Sequence, residues 1–371
     1  MLTSITLENY RGFKEYRLAG LSRVNLLVGM NNCGKTAILE AVHLLAAGGD
    51  PGVLESVASR RGELILFTPQ DADRPRRPAF PDVSHLFHGH EFGPDRYFKV
   101  AANNELGELT VRVVRPDDDA QQGEPFDEGS GFRAALAIRL EGARHPLTRA
   151  AKALPVSADG ALLYSPYRFR RPSGVEREEI PAVQFISPSS VESVSMAEMW
   201  NKVIVDAREA EVIEAMRILE PDLTNIFFLS GESAFRFGGR GGIVAAFEHE
   251  KQRLPLGSYG EGMHRLLALS LSLIQAANGV LLVDEIDTGL HYSIMGDMWL
   301  LVAKAAIKSN VRIFATTHSF DCVRGLAWLC ENHPELREFI SLQKIDRNLN
   351  EAVSLDASKI TIAANQGIEV R

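Results

Sequence analysis

Cysteine is scarce. Among 371 residues there are three, Cys33, Cys322 and Cys330, none in a CxxC pair and none at zinc-site spacing. That excludes a disulfide framework, and a reducing compartment is expected. No stretch reaches the run of about 18 uncharged apolar residues that a membrane helix needs, so no membrane partner is expected. The opening residues, MLTSITLENYR, lack the charged-then-apolar order of a targeting peptide; their alternation reads as a first strand and the protein as cytoplasmic. Positive charge is not in excess: 40 Lys+Arg against 48 Asp+Glu leave −8, which excludes a generic basic coat for nucleic acid. A local basic groove stays open, so nucleic acid remains a candidate partner. No repeat of 20–50 residues is present, which excludes a solenoid. What is present is ordinary globular composition, 45% hydrophobic and 24% charged, at a length that suits about two domain-sized units.

The pattern along the chain predicts an α/β fold. Strands are expected over 3–9 and 16–28, the second ending in the apolar run VNLLV, followed by a glycine-framed loop and a helix from 37 to about 47. From 51 to 180 proline and glycine are frequent, and alternating stretches at 109–114 and 132–140 predict a β-rich insertion. Within it, residues 115–124 read as an acidic solvated loop. Strand character returns at 182–186. Residues 195–219 have helical spacing (Met199, Val203, Ala207, Ala210, Ile213, Met216) and stop before Pro221; glycines at 238–242 mark a turn. After 256 the expectation is helix 261–277, strand 279–284, helix 291–307, strand 311–316, helix 320–331 and a closing strand pair, 340–345 and 352–355.

Residues 29–36, GMNNCGKT, match GxxxxGK[ST] without a gap, after a strand and before a helix. Gly29 and Gly34 let the backbone curl until successive N–H groups converge on phosphate oxygens. Asn31 and Asn32 tolerate left-handed conformations, Cys33 is a small residue that fits the loop, and Ala37 continues into the helix. Lys35 would reach the β and γ phosphates of ATP, and the Thr36 hydroxyl would bind Mg2+. Residues 279–285, GVLLVDE, read as a buried parallel strand running into two acids, where ligands gather in such sheets. Asp284 would hold Mg2+ directly or through water. Glu285 would polarise the attacking water.

Residues 256–265, LGSYGEGMHR, open a helix about twenty residues before the acidic strand and look like the signature motif of ABC-type ATPases, in the form used by SMC, RecF and OLD-like proteins. Residues 314–319, FATTHS, resemble the switch-histidine strand end of that family. Residues 9–13, NYRGF, resemble its first-strand motif, and Gln184 falls where its Q-loop glutamine stands. The closing GIEVR resembles the small bacterial OLD-like ATPases that accompany phage-defence or toxin partners. The resemblance implies a P-loop NTPase with an ABC-type head at 1–50 and 181–371, a short helical lobe at about 188–255, and the 51–180 insertion. It also implies a homodimer in which ATP is sandwiched between the loop of one head and Ser258, Gly260, Glu261 and Gly262 of the other. A helix start rich in glycine presents free N–H groups to a γ-phosphate. His318 would contact that phosphate or orient the water, Gln184 would sense Mg2+ or the water, and Arg11 would approach the nucleotide.

The chain departs from transporter cassettes at 288–291, TGLH, where His291 takes the place of their Asp. OLD-like nucleases carry a TOPRIM domain after the switch histidine, and 371 − 318 leaves 53 residues here, too short for one. The expected protein is an ATPase that dimerises around ATP, in phage defence or DNA maintenance, with a separate nuclease or toxin as effector. The alternative is a slow-turnover scaffold or sensor holding that partner. A GTPase is disfavoured by the lack of an Asn-Lys-x-Asp motif. Three imidazoles, His85, His88 and His90, have no carboxylate beyond Glu91 to suggest a metal, and the arginines at 74–77 and 168–171 read as solvated loop charge.

Overall fold

The computed structural model describes residues 2–66, 79–115, 134–151, 153–163, 180–188, 193–229 and 242–368. The arginine clusters at 74–77 and 168–171, most of the acidic stretch at 115–124 and most of the 238–242 glycine cluster lie outside the described residues. Packing divides the chain into two units: residues 1–19, 40–180 and 347–352 form the first, and residues 20–39, 181–346 and 353–371 the second.

The first unit is built on one antiparallel sheet. Strands β1 (Ser4–Tyr10) and β2 (Phe13–Ala19) pair as a hairpin, and β1 also pairs β6 (Tyr97–Ala102), which continues through β7 (Glu108–Val114) and β8 (Leu136–Glu141) to β9 (Leu154–Val156). The pairing Leu7↔Val100 is what groups the chain start with the insertion rather than with residues 20–39. Alternation is clean in β7, where Leu109, Val111 and Val113 are buried, as one covered face requires. Phe98 anchors the core, with ring centroids 5.1 Å from Tyr10 and 5.2 Å from Phe87. A short antiparallel pair, β4 (Leu64–Leu66) and β5 (Ala79–Pro81), forms a separate sheet, and Pro81 O accepts the Leu162 N–H at 2.8 Å. The insertion also holds helices α2 (Pro51–Arg60) and α3 (Pro146–Ala151). Helix α2 starts because Asp50 accepts the Gly52 N–H at 2.9 Å and Pro51 occupies the first helical position.

In the second unit β3 (Val24–Val28) is central to a sheet of order β10 (Val183–Ile186), β14 (Val280–Val283), β15 (Arg312–Thr316), β3, β16 (Ile340–Lys344), β17 (Val353–Asp356). All pairs are parallel except β16 with β17. This is the α/β P-loop arrangement expected from the sequence. The strand expected over 16–28 is two strands in different sheets, interrupted at Gly20. There φ is +66° and a Cβ would fall 2.6 Å from Ser354 Oγ. Helix α1 (Lys35–Ala46) follows the glycine loop. Helices α4 (Ser193–Val205) and α5 (Glu209–Met216) replace the single helix expected over 195–219, because Ala207 takes φ +52° between them. Among the described residues, the later part of the expected helical lobe holds a small antiparallel sheet, β11 (Leu223–Phe228), β12 (Ile243–Phe247) and β13 (Leu254–Pro255).

Helices α6 (Glu261–Gln275), α7 (Met295–Lys308), α8 (Phe320–Asn332) and α9 (Ala357–Asn365) complete the unit. Alternate sheet residues, among them Val24, Leu26, Val28, Leu281, Val283, Ile313 and Ala315, join one apolar cluster with Leu267, Trp299, Val302 and Leu326 of the helices. Asn25 is wholly buried in the central strand and fully used: its amide donates to Ser22 O and Ile313 O, and its oxygen accepts from Ser22 N and Ser341 Oγ.

Candidate functional site

The site is assembled at the carboxyl ends of β3, β14 and β15. The loop after β3 turns because Gly29 takes φ +147°, where a Cβ would lie 2.5 Å from Ile345 O and 2.8 Å from Cys33 Sγ. Asn32 and Gly34 are also left-handed, at φ +59° and +102°, whereas Asn31 is not; both asparagines are exposed, Cys33 and Ala37 are buried. The Lys35 side chain is 5% exposed and curls into the loop, its Nζ donating to Gly29 O at 2.8 Å and Met30 O at 3.0 Å. The same ammonium lies 3.7 Å from Cys33 Sγ and 3.4 Å from His318 Nδ1. Burial lowers its pKa, against the pull of Cys33, Asp284 and Glu285. Lys35, Thr36 and Ala37 supply first-turn N–H groups, which a helix start leaves without acceptors inside the helix.

Parallel pairing sets the acids beside this loop. Val283 is in register with Ala315, and Thr316 with Leu27, so Asp284 and Thr316 lie level with the last residues of β3. Thr36 Oγ1 is 3.2 Å from both Asp284 carboxylate oxygens. Thr316 Oγ1 donates to Asp284 Oδ1 at 2.6 Å and accepts the Glu285 N–H at 2.8 Å. Glu285 is left-handed, φ +50°, a costly conformation for a residue with a Cβ. Its Oε2 accepts from Thr288 Oγ1 at 3.1 Å. His318 stands at the exposed rim, and its imidazole is held below the ordinary range, first by desolvation and second by the Lys35 charge. It is therefore mostly uncharged at neutral pH.

The signature residues open α6. Ser258, Gly260 and Glu261 are exposed, Gly260 takes φ +90°, and a Cβ on Gly262 would sit 2.9 Å from Gly289 O. The segment after Glu285 thus packs on the start of this helix. One turn further on, Arg265 is 5% exposed and donates to three backbone carbonyls, Ser187 at 3.0 Å and Asp284 and Glu285 each at 2.7 Å. Burial lowers its guanidinium from its ordinary value, and Asp284, Asp287 and Glu285 oppose this. His291 accepts the Ser293 N–H through Nδ1 at 3.4 Å, as a helix cap would.

Gln184 is in register with Leu281, three residues before Asp284, so it stands about 10 Å back along the sheet. The residue level with Asp284 is Ser187, whose carbonyl accepts from Arg265. Arg11 belongs to the first unit. Its guanidinium donates to both Glu63 oxygens at 2.8 and 3.0 Å, and its Nε forms an ion pair with Glu40 at 2.8 Å that is poorly aligned for a hydrogen bond. Arg61 Nε bonds the other Glu40 oxygen at 2.7 Å. His85 has both ring nitrogens engaged, by His90 at 2.9 Å and Asp82 at 3.3 Å, and His88 bonds Arg11 O, so the three imidazoles do not converge on one point.

Thr316, Thr288 and Arg265 were not singled out from sequence. Thr316 is visible only as the second residue before the switch histidine, and its role needs the strand register.

Residues 1–59 match the family model described as an AAA ATPase domain, and residues 167–321 the one described as an AAA domain, putative AbiEii toxin, Type IV TA system. An ATP/GTP phosphatase of Helicobacter pylori is 21% identical over 349 residues, spanning 88% of this chain and 87% of that protein. The DNA replication and repair protein RecF of Acinetobacter baylyi is 49% identical over 47 residues, 13% of either chain. Among solved structures, an SMC head bound to the C-winged helix domain of ScpA aligns over 96% of this chain and 97% of its own, with 17% identity and a TM-score of 0.49.

Proposed function

We propose that this chain, an SMC/RecF-like P-loop ATPase domain of the ABC type, hydrolyses ATP in a homodimer whose two pockets are each completed by the other protomer. The observation that carries this reading is the meeting of Lys35, Thr36, Asp284, Glu285 and His318 at adjoining strand ends, with Thr36 Oγ1 3.2 Å from the Asp284 carboxylate.

Lys35 leaves the carbonyls of Gly29 and Met30 for the β and γ phosphates, and the N–H groups of residues 34–37 hold the same oxygens. Thr36 and Asp284 offer a hydroxyl and a carboxylate to Mg2+, a hard cation that prefers oxygen and would neutralise phosphate charge when bound. Glu285 takes the proton of the attacking water as that oxygen bonds the γ-phosphorus and the bond to the bridging oxygen breaks, giving ADP and phosphate. Thr288 and Thr316 hold Glu285 at its side chain and its backbone. Neutral His318 accepts or donates one hydrogen bond to the water or the γ-phosphate. Ser258, Gly260, Glu261 and Gly262 of the second protomer close the pocket, consistent with the exposure of the first three.

Glu285→Gln is expected to lower kcat by about 100-fold or more and to accumulate an ATP-bound dimer, read by light scattering with and without ATP. A variant that binds ATP and stays monomeric at every concentration overturns the sandwich. The setting proposed is phage defence or DNA maintenance with a separate effector. A second reading, slow turnover that holds a toxin or nuclease partner, draws on the toxin–antitoxin description of the family matched by residues 167–321. Turnover at background level together with a co-purified neighbouring gene product favours it over the first.

A further inference from the structure

The geometry points to Arg265 as the positioning residue that holds the Asp284–Glu285 strand end in its working conformation and ties it to the signature helix. This rests on Glu285 being the base. Glu285 holds a left-handed backbone, which persists only where surrounding bonds over-determine it. Several bonds do so: Thr316 Oγ1 takes the Glu285 N–H, the Thr288 N–H donates to the Glu285 carbonyl at 3.1 Å, and Arg265 Nη2 donates to that carbonyl and to the Asp284 carbonyl before it. Arg265 Nη1 reaches a third carbonyl, Ser187, at the end of the neighbouring strand β10. One buried guanidinium thus staples two strand ends, and it does so from the fifth residue of a helix whose first residues are Glu261 and Gly262. A shift of the α6 start on meeting the second protomer's ATP is carried directly to the backbone of the base. Only a planar fork with several donors spans these acceptors; a lysine ammonium is a single point on a shorter stem.

The test is Arg265→Lys, with kcat and KM for ATP measured beside the stoichiometry of ATP bound. The expected result is a kcat at least thirtyfold lower per bound ATP, with KM within threefold and Glu285→Gln/Arg265→Lys still dimerising with ATP. A role in folding alone lowers the fraction that binds ATP and leaves turnover per bound ATP unchanged, which overturns the inference. Arg265→Ala assayed with millimolar guanidinium covers the case of a lysine variant that does not fold: recovered turnover, absent with urea or sodium chloride, supports the inference, and a folded protein without recovery overturns it. Should Glu285→Gln itself keep wild-type turnover, the assignment of the base fails. Should Glu285→Gln be inactive while Arg265→Lys is fully active, only the role of Arg265 fails.

Discussion

His43, in the last turn of α1, is 9% exposed, and its imidazole is held down to about 3, first by burial and then by the Arg60 charge. Arg60 Nη2 lies 3.5 Å from Nδ1, a placement that suits a neutral ring accepting there. The sign of the pH effect follows from linkage. The unfolded chain takes up a proton near the ordinary value of about 6.5, and the native state does so only near 3, so stability is whole above 6.5 and falls as the pH drops. At pH 5 the loss is on the order of 2 kcal/mol. His43→Gln is expected to flatten the fall in Tm between pH 6.5 and 5 relative to wild type; parallel curves would rule this out. His318 shifts in the same direction, so some slope remains. Single residues of the site were legible where the chain brings them together by itself, as in residues 29–36. Arg265 was not, because its acceptors are 19, 20 and 78 positions away and the need for it arises only from the backbone of Glu285.

Between elements, small residues set how closely helices approach. Gly325 of α8 faces α7 so tightly that a Cβ would stand 2.5 Å from Met295 Cβ and 2.9 Å from its carbonyl carbon. Backbone cannot yield as a flexible side-chain tip does. Gly325→Ala is expected to cost about 1–3 kcal/mol, read as a lower urea midpoint at unchanged slope; an unchanged midpoint refutes the close packing. The buried strands and the helices after residue 256 were legible because long apolar runs and 3.6-residue spacing are local signals. The break at Ala207 was hidden, since alanine favours helix and its left-handed turn is imposed by what α4 and α5 pack against. Helix α2 lay in a proline- and glycine-rich stretch where Asp50 and Pro51 are start signals that are easily taken for a loop.

For the molecule as a whole, the strand order of the second unit governs when the site exists. β3, which carries residues 29–36 at its end, is bonded on one side to β15 and on the other to β16, segments far downstream of it in sequence. Such long-range pairing is slow to form and cannot be anticipated by any nearby partner. A chain emerging from the ribosome therefore makes its nucleotide loop well before the strands at 312–316 and 340–344 that hold β3 in place. Fragments that end before residue 340 contain every residue of the loop yet are expected to retain no labelled ATP on a filter, and tight retention by such a fragment would contradict this order of events. Premature termination or cleavage before residue 340 thus yields a product expected to be silent, because the strand that flanks the nucleotide loop on one side is then missing.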